Sequence, residues 1–326
     1  MMDERIRRKA IRKDFSRQGW TLLIYYGIMN AAVLVAVLID TIILTVEAII
    51  TYGPDLPDAY MEDMAARATG NAWGYFLAVG FGFLILLLWK GRKFTFHDIW
   101  VKGRPMRAGE LFTILCVFMS GQLLFQMFAL ILELILNLLG FSAMAAIESA
   151  TMSQMDTFSM FLYAGLLAPI AEEILFRGLI LRSLQPYGKK TAIFVSALLF
   201  GLFHGNIVQT PFAFAVGLVL GYVAVEYSMV WAMALHMFNN LLISDVLTRL
   251  TSRLAPAAAD LITVAVLWGF AAAGFILAIV KRKEIGKYLR GNRMDPVCLK
   301  CCFSSAGIIV LTVVMVINML LSITFL

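Results

Sequence analysis

Charge is scarce in this 326-residue sequence: Asp, Glu, Lys and Arg make up 15% of it, where an ordinary soluble domain carries about 25%. Hydrophobic residues fill 61% and the mean hydropathy is +0.85. That balance excludes a water-soluble globular domain and points to an integral membrane protein. Prolines number eight, and no Pro-, Gly- or Ser-rich linker and no internal repeat divides the chain. A single bundle is therefore expected, without the repeated halves of many transporters. Cysteines are four, Cys116, Cys298, Cys301 and Cys302. One Cys-x-x-Cys-Cys has too few ligands for a closed zinc site, and a disulfide is disfavoured beside a cytoplasmic membrane end. S-acylation is the expectation for the last three. Histidines are only three, so the position of each is informative.

What the chain does have is apolar runs. Those near 20–50, 71–89, 110–140, 158–181, 212–228, 230–248, 261–280 and 303–325 approach or exceed the roughly 17–25 residues of a spanning helix. A ninth, 191–204, is short and must tilt, re-enter or extend. The expected fold is all-α, a polytopic transmembrane helix bundle of about 8–9 spans. Basic residues gather in four places: the N-terminal arm from Arg5 to Arg17, the loop at 90–107, the turn at 182–190 and the segment 281–300. With nine spans all four fall on one side. The loop at 51–70 on the other side is acidic through Asp55, Asp58, Glu62 and Asp63. By the positive-inside rule the N-terminus is cytoplasmic, in the cell (plasma) membrane. The first apolar run is too long for a cleavable signal peptide. A net charge of +6 fits loops meeting anionic membrane lipid better than nucleic acid, because no aromatic-interleaved basic surface accompanies it.

Against this background Glu172, Glu173 and Arg177 stand within one apolar run. Each ionisable group inside a bilayer costs at least about 2.5–3.5 kcal/mol, so three within two turns need compensation or a task. Adjacent residues on a helix point to different faces, whereas Glu173 and Arg177 are i and i+4 and can pair. Glu172 is then free to project towards a cavity. Pro169 and Gly165, just before the acids, are expected to kink the helix and open space. His204 ends Phe200–His204, and His236 opens His236–Asn240, with His236 and Asn240 on one helix face. Counting along each segment from its basic end at ~1.5 Å per residue brings Glu172, His204 and His236 to one level. The plain alternative is a polar interhelical clamp. Asp40, Asp245, Glu47 and Glu133 are expected to be residues of the outer interface.

The set Glu172-Glu173-x-x-x-Arg177, Phe200-x-x-x-His204 and His236-x-x-x-Asn240 resembles the three motifs of the CPBP intramembrane proteases. These are relatives of the CAAX prenyl endopeptidase and of bacteriocin-immunity and abortive-infection proteins. The resemblance covers roughly 158–248 and divides the chain in three. Residues 1–157 hold the N-terminal cytoplasmic arm and three transmembrane helices. Residues 158–248 form the CPBP-like helix core, and 249–326 hold the C-terminal transmembrane helices and the basic, Cys-containing loop.

The resemblance implies hydrolysis of a peptide bond of a membrane-associated, even lipidated, protein or peptide, at a site facing the cytoplasm. Glu172 and His204 would activate water, and His236 and Asn240 would stabilise the oxyanion. Glu173, Arg177 and Phe200 would support them. The name metalloprotease in this family implies a second arrangement, with Glu172, His204 and His236 as ligands of a divalent metal such as zinc. The residues admit both, and the missing His-Glu-x-x-His favours glutamate-activated water. Serine and aspartyl mechanisms fit worse, because neither Gly-x-Ser-x-Gly nor Gly-x-Gly-Asp occurs. The alternatives of another class are a non-proteolytic scaffold or bacteriocin self-immunity protein binding a membrane partner, and a proton-coupled transporter using Glu172 and His204 as a relay.

Overall fold

Backbone N–H and C=O groups find no water in hydrocarbon, so a chain this apolar must close its hydrogen bonds within each segment. It does so as helices. The computed structural model describes residues 4–53, 58–151, 157–241, 247–292 and 294–325; Asp55 and Asp245 lie outside them. In chain order come α1 (Glu4–Tyr52), α2 (Asp58–Thr69), α3 (Trp73–Lys93), α4 (Ala108–Leu138) and α5 (Met144–Thr151). A continuous helical run follows over 158–184, here α6, which contains two π-helical stretches, Tyr163–Leu167 and Ile174–Leu181. Then come α7 (Lys189–Phe203), α8 (Gln209–Glu226), α9 (Met229–Leu241), α10 (Leu247–Thr251), α11 (Pro256–Val280), α12 (Arg282–Gly291), α13 (Pro296–Phe303) and α14 (Ala306–Leu321). A two-residue antiparallel pairing joins β1 (Phe141–Ser142) to β2 (Thr324–Phe325). The all-α bundle expected from the sequence is what forms.

Among the described residues, α1, α3 with its continuation to Asp98, α4, α8 and α11 are individually long and apolar enough to cross a membrane. The bent pair α13–α14, 59° at its break, makes a sixth candidate. The other stretches singled out by hydropathy have a different character. α7 has 15 residues and α9 has 13, about 22 and 20 Å at 1.5 Å per residue, against a hydrocarbon core of about 30 Å. Short helices are tolerated where protein surrounds them. α7 buries Ala192, Val195, Ala197 and Leu199 completely. Around this core, α1, α4, α11 and α14 turn Leu38, Ile42, Leu130, Leu134, Phe275, Val280 and Ile317 outward, an apolar surface suited to lipid contact.

The four basic segments meet at one end. Tyr187 donates to Asp14 at 2.5 Å and Arg7 pairs with Asp295 at 3.1 Å. Lys189 and Tyr288 both reach Glu226, at 2.9 and 3.1 Å, and Arg104 donates to Tyr227. The N-terminal arm is itself helical, the first turns of α1, and packs Ile11 and Phe15 into the core. α13 lies against it, with Cys298, Cys301 and Cys302 buried to 2%, 4% and 0% exposure and Cys301 Sγ directed at the Arg8 carbonyl. Burial overturns the expectation of S-acylation there, since an acylating enzyme needs the thiol exposed. The acids expected at the outer interface make structural ties. Asp40 accepts from Asn71 Nδ2 and Trp73 Nε1 at 2.6 and 2.7 Å, and Glu133 caps the Ala143 N–H at 2.6 Å.

α1 and α14 cross backbone to backbone at Gly19 and Gly307. A Cβ on Gly19 would overlap the Gly307 carbonyl, and one on Gly307 would overlap that of Ser16. Gly19→Val is therefore expected to force the helices apart at a cost of about 1–3 kcal/mol, read as a lower melting temperature in detergent. An unchanged melting temperature would show that the crossing is loose.

Candidate active site

The site begins with a defect in the backbone of α6. In the first π stretch the Ala168 N–H bonds to the Tyr163 carbonyl, one residue further back than in an α-helix. The Ala164 carbonyl so loses its α-helical donor, and its donor in the π pattern would be Pro169, which has no N–H. Asn240 of α9 fills the vacancy, its Nδ2 donating to Ala164 O at 2.9 Å. Asn240 is oriented in turn: its Oδ1 accepts from Asn239 Nδ2 at 3.2 Å, and Asn239 Oδ1 accepts from Gln122 Nε2 of α4 at 2.7 Å. This carboxamide chain explains why Pro169 is tolerated mid-helix. The sequence reading named Asn240 and passed over Asn239 and Gln122. The sequence carries little to single out Gln122, because α4 also holds Gln126, Glu133 and Asn137 and only the fold shows which amide is buried.

The second π stretch starts immediately after Glu173. Glu173 and Arg177 are both fully buried, and Glu173 Oε1 lies 3.0 Å from Arg177 Nη1 and 3.0 Å from His236 Nδ1. Arg177 Nη2 also donates to the Gly217 carbonyl of α8 at 3.3 Å. The guanidinium lies 4.3 Å from the Phe200 ring centroid, a cation–π contact strengthened by desolvation. Phe200 also meets both imidazoles edge-on, His204 at 4.8 Å and His236 at 5.7 Å between centroids. One apolar ring thus touches the arginine and both histidines, while Arg177 and His236 share the Glu173 Oε1 oxygen.

Hydrogen bonds define the imidazoles. His204 Nδ1 is 2.8 Å from the Phe200 carbonyl; a carbonyl only accepts, so Nδ1 carries the proton and neutral His204 presents a bare Nε2. His236 Nδ1 likewise donates to the Glu173 carboxylate at 3.0 Å, which fixes the orientation of its ring. The His236 Nε2 stands 3.7 Å from Glu172 Oε2, too far for a direct hydrogen bond. Glu172 differs from its neighbour in being about a third exposed, 32% against 0%. His204, Tyr25 and Tyr163 all lie within reach of its charge.

Beside Glu172 opens an apolar cleft of about 380 Å³ between α3 and α6, lined by Leu167, Ile170 and Ala171. A second, of about 420 Å³, continues it along α1; the two share Tyr25, Gly82, Leu86 and Leu175. Neither is lined by the polar cluster, which borders them through the α6 backbone. Among the described residues, no three His, Cys, Asp or Glu side chains are placed to hold a metal ion. Glu172, His204 and His236 are thus not gathered into one coordination shell in this arrangement, although each imidazole keeps Nε2 free with Nδ1 held by an acceptor, as a metal-ligating histidine would.

Residues 154–242 match a protein family described as type II CAAX prenyl endopeptidase Rce1-like. The matched segment, about a quarter of the chain, contains Glu172, Glu173, Arg177, Phe200, His204, His236 and Asn240. It thereby bears out the resemblance read from the three motifs. α1, α3, α4 and α11 to α14 lie outside it, and so does Gln122. No curated protein and no solved structure matches the chain.

Proposed function

We propose that this membrane protein is an intramembrane endopeptidase that cuts a peptide bond in a membrane-associated substrate, lipidated proteins and peptides included. The observation that carries the reading is the division of labour between neighbouring acids. Glu173 is buried and consumed by Arg177 and His236, while Glu172 is about a third exposed and has His204, with its bare nitrogen, within reach of its charge. A water held between Glu172 and His204 Nε2 loses a proton to Glu172 as its oxygen attacks the peptide carbonyl carbon. The carbonyl π pair moves to oxygen. His236, its ring oriented by Glu173, and the second N–H of Asn240 stabilise that oxyanion. On collapse the C–N bond breaks and Glu172 returns the proton to the leaving nitrogen.

The basic end of the bundle faces the cytoplasm in this reading, by the positive-inside rule, and the apolar clefts beside Glu172 admit the membrane-embedded part of the substrate. The test is cleavage of fluorogenic, membrane-anchored peptides by purified protein, with and without chelator. Cleavage by wild type that disappears in His204→Ala supports the proposal, and a wild type that cuts none of a broad lipidated and unlipidated set overturns it in favour of a non-proteolytic scaffold. Gln122 acts through Asn239 on Asn240 and is a positioning residue. Gln122→Met is expected to lower kcat several-fold at unchanged KM and to destabilise by about 1–3 kcal/mol, the cost of an orphaned buried acceptor. A change in KM alone would assign Gln122 to substrate binding instead.

A further inference from the structure

The largest of the described clefts lies away from this site. It has a volume of about 470 Å³ and runs between α4, α7, α8 and α11, with α12 across its mouth. Its walls are apolar, among them Ile114, Val117, Phe194, Leu218 and Val219. That volume is typical of a site enclosing a sizeable apolar ligand. Its mouth is of opposite character. Lys190 and Lys281 line it, and the paired rings of Tyr222 and Tyr288, 5.2 Å apart, stand at the same level.

The charge around that mouth is one-sided. The short segments 189–190 and 281–290 supply Lys189, Lys190, Lys281, Arg282, Lys283, Lys287 and Arg290. Against them stand Glu226, engaged by Lys189 at 2.9 Å, and Glu284, 3.6 Å from Lys281 with its side chain largely exposed. Among the described residues the Lys190 ammonium has no carboxylate partner. α12 buries none of its residues, yet Ile285, Tyr288 and Leu289 share one face and all three border the cleft. An apolar slot beneath a cationic, tyrosine-lined rim at a membrane-protein end is complementary to one class of molecule.

We propose that this cleft binds one anionic glycerophospholipid, with its phosphate at Lys190 and Lys281 and an acyl chain between α4, α8 and α11. α12 would lie over the chain with its apolar face inward. α8 carries this wall on one side and on the other the Gly217 carbonyl that accepts from Arg177, so the lipid braces the helix behind the buried ion pair. The site requires a membrane protein and is independent of whether the chain is a protease.

The experiment is thermal unfolding of delipidated protein in neutral detergent, titrated with phosphatidylglycerol or with phosphatidylcholine of the same chains. Phosphatidylglycerol is expected to raise the melting temperature saturably and to act at lower concentration than phosphatidylcholine. Lys190→Gln with Lys281→Gln should weaken it by roughly tenfold or more. Val219→Trp, which fills the slot, should lower by one the lipids retained in native mass spectrometry. Lys283→Gln with Lys287→Gln removes equal charge from α12 away from the lining and should keep the preference. Equal response of wild type to both lipids overturns the proposal. So does loss of preference in the Lys283/Lys287 pair, which would reduce the effect to surface charge. Glycerol 3-phosphate that reproduces the whole shift would overturn the acyl-chain component.

Discussion

Glu172→Gln should abolish peptide cleavage to within roughly 10²- to 10⁴-fold below wild-type kcat, the usual contribution of a positioned general base, while the protein melts within about 2 °C of wild type. The amide keeps the size of the carboxylate and can still hold a water, but it cannot take the proton. Stability is spared because the side chain is about a third exposed and its contact with His236 Nε2, at 3.7 Å, is beyond hydrogen-bond range. Exposed changes of this kind usually stay within about 0.5 kcal/mol. The measurement pairs initial rates on a membrane-anchored peptide with a melting curve of the same preparation. Retained turnover would remove Glu172 from the chemistry, and lost turnover with a collapsed melting curve would make it structural.

The adjacent acid should behave in the opposite way. Arg177→Met leaves the Glu173 carboxylate buried with only His236 as partner, and is expected to destabilise the fold by about 3–5 kcal/mol, the penalty of an uncompensated buried charge. Its Oε2 already has no hydrogen-bond partner, so nothing nearby can take over. Glu173→Gln with Arg177→Met removes both charges and should melt above the Arg177→Met single variant. Because Glu173 also orients His236 at 3.0 Å, that double variant should remain slow in cleavage even where it is stable. Thermal unfolding of the two single variants and the double variant gives the coupling. A double variant no more stable than Arg177→Met would mean that the pair is held by packing around Phe200 and not by charge.

Much of this architecture follows from local pattern. Apolar runs of spanning length become helices because hydrocarbon permits no other open segment, and α1, α3, α4 and α11 coincide with such runs. Glu173 and Arg177 meet because i and i+4 share a helix face, a relation visible in one line of sequence. The three motifs also announce themselves, since charged and imidazole groups are costly inside so apolar a chain.

Other features depend on contacts between residues far apart in the chain. Length and hydropathy mark 191–204 and 230–248 as doubtful or ordinary spans, but only packing makes α7 and α9 the short inner helices that hold His204 and His236. The first π stretch of α6 is accommodated because Asn240, 76 residues away, offers a donor to the Ala164 carbonyl that Pro169 leaves unserved. Gln122 joins the site from α4, outside the matched motif segment, through a hydrogen bond spanning 117 positions. The three C-terminal cysteines look accessible in sequence and are buried because α13 folds onto the basic start of α1. Helix formation and i, i+4 pairing are local and can be read from the residues that carry them. The register of a helix around a missing donor, the protonated nitrogen of each imidazole and the burial of a thiol depend on which distant group arrives, and these the tertiary structure decides.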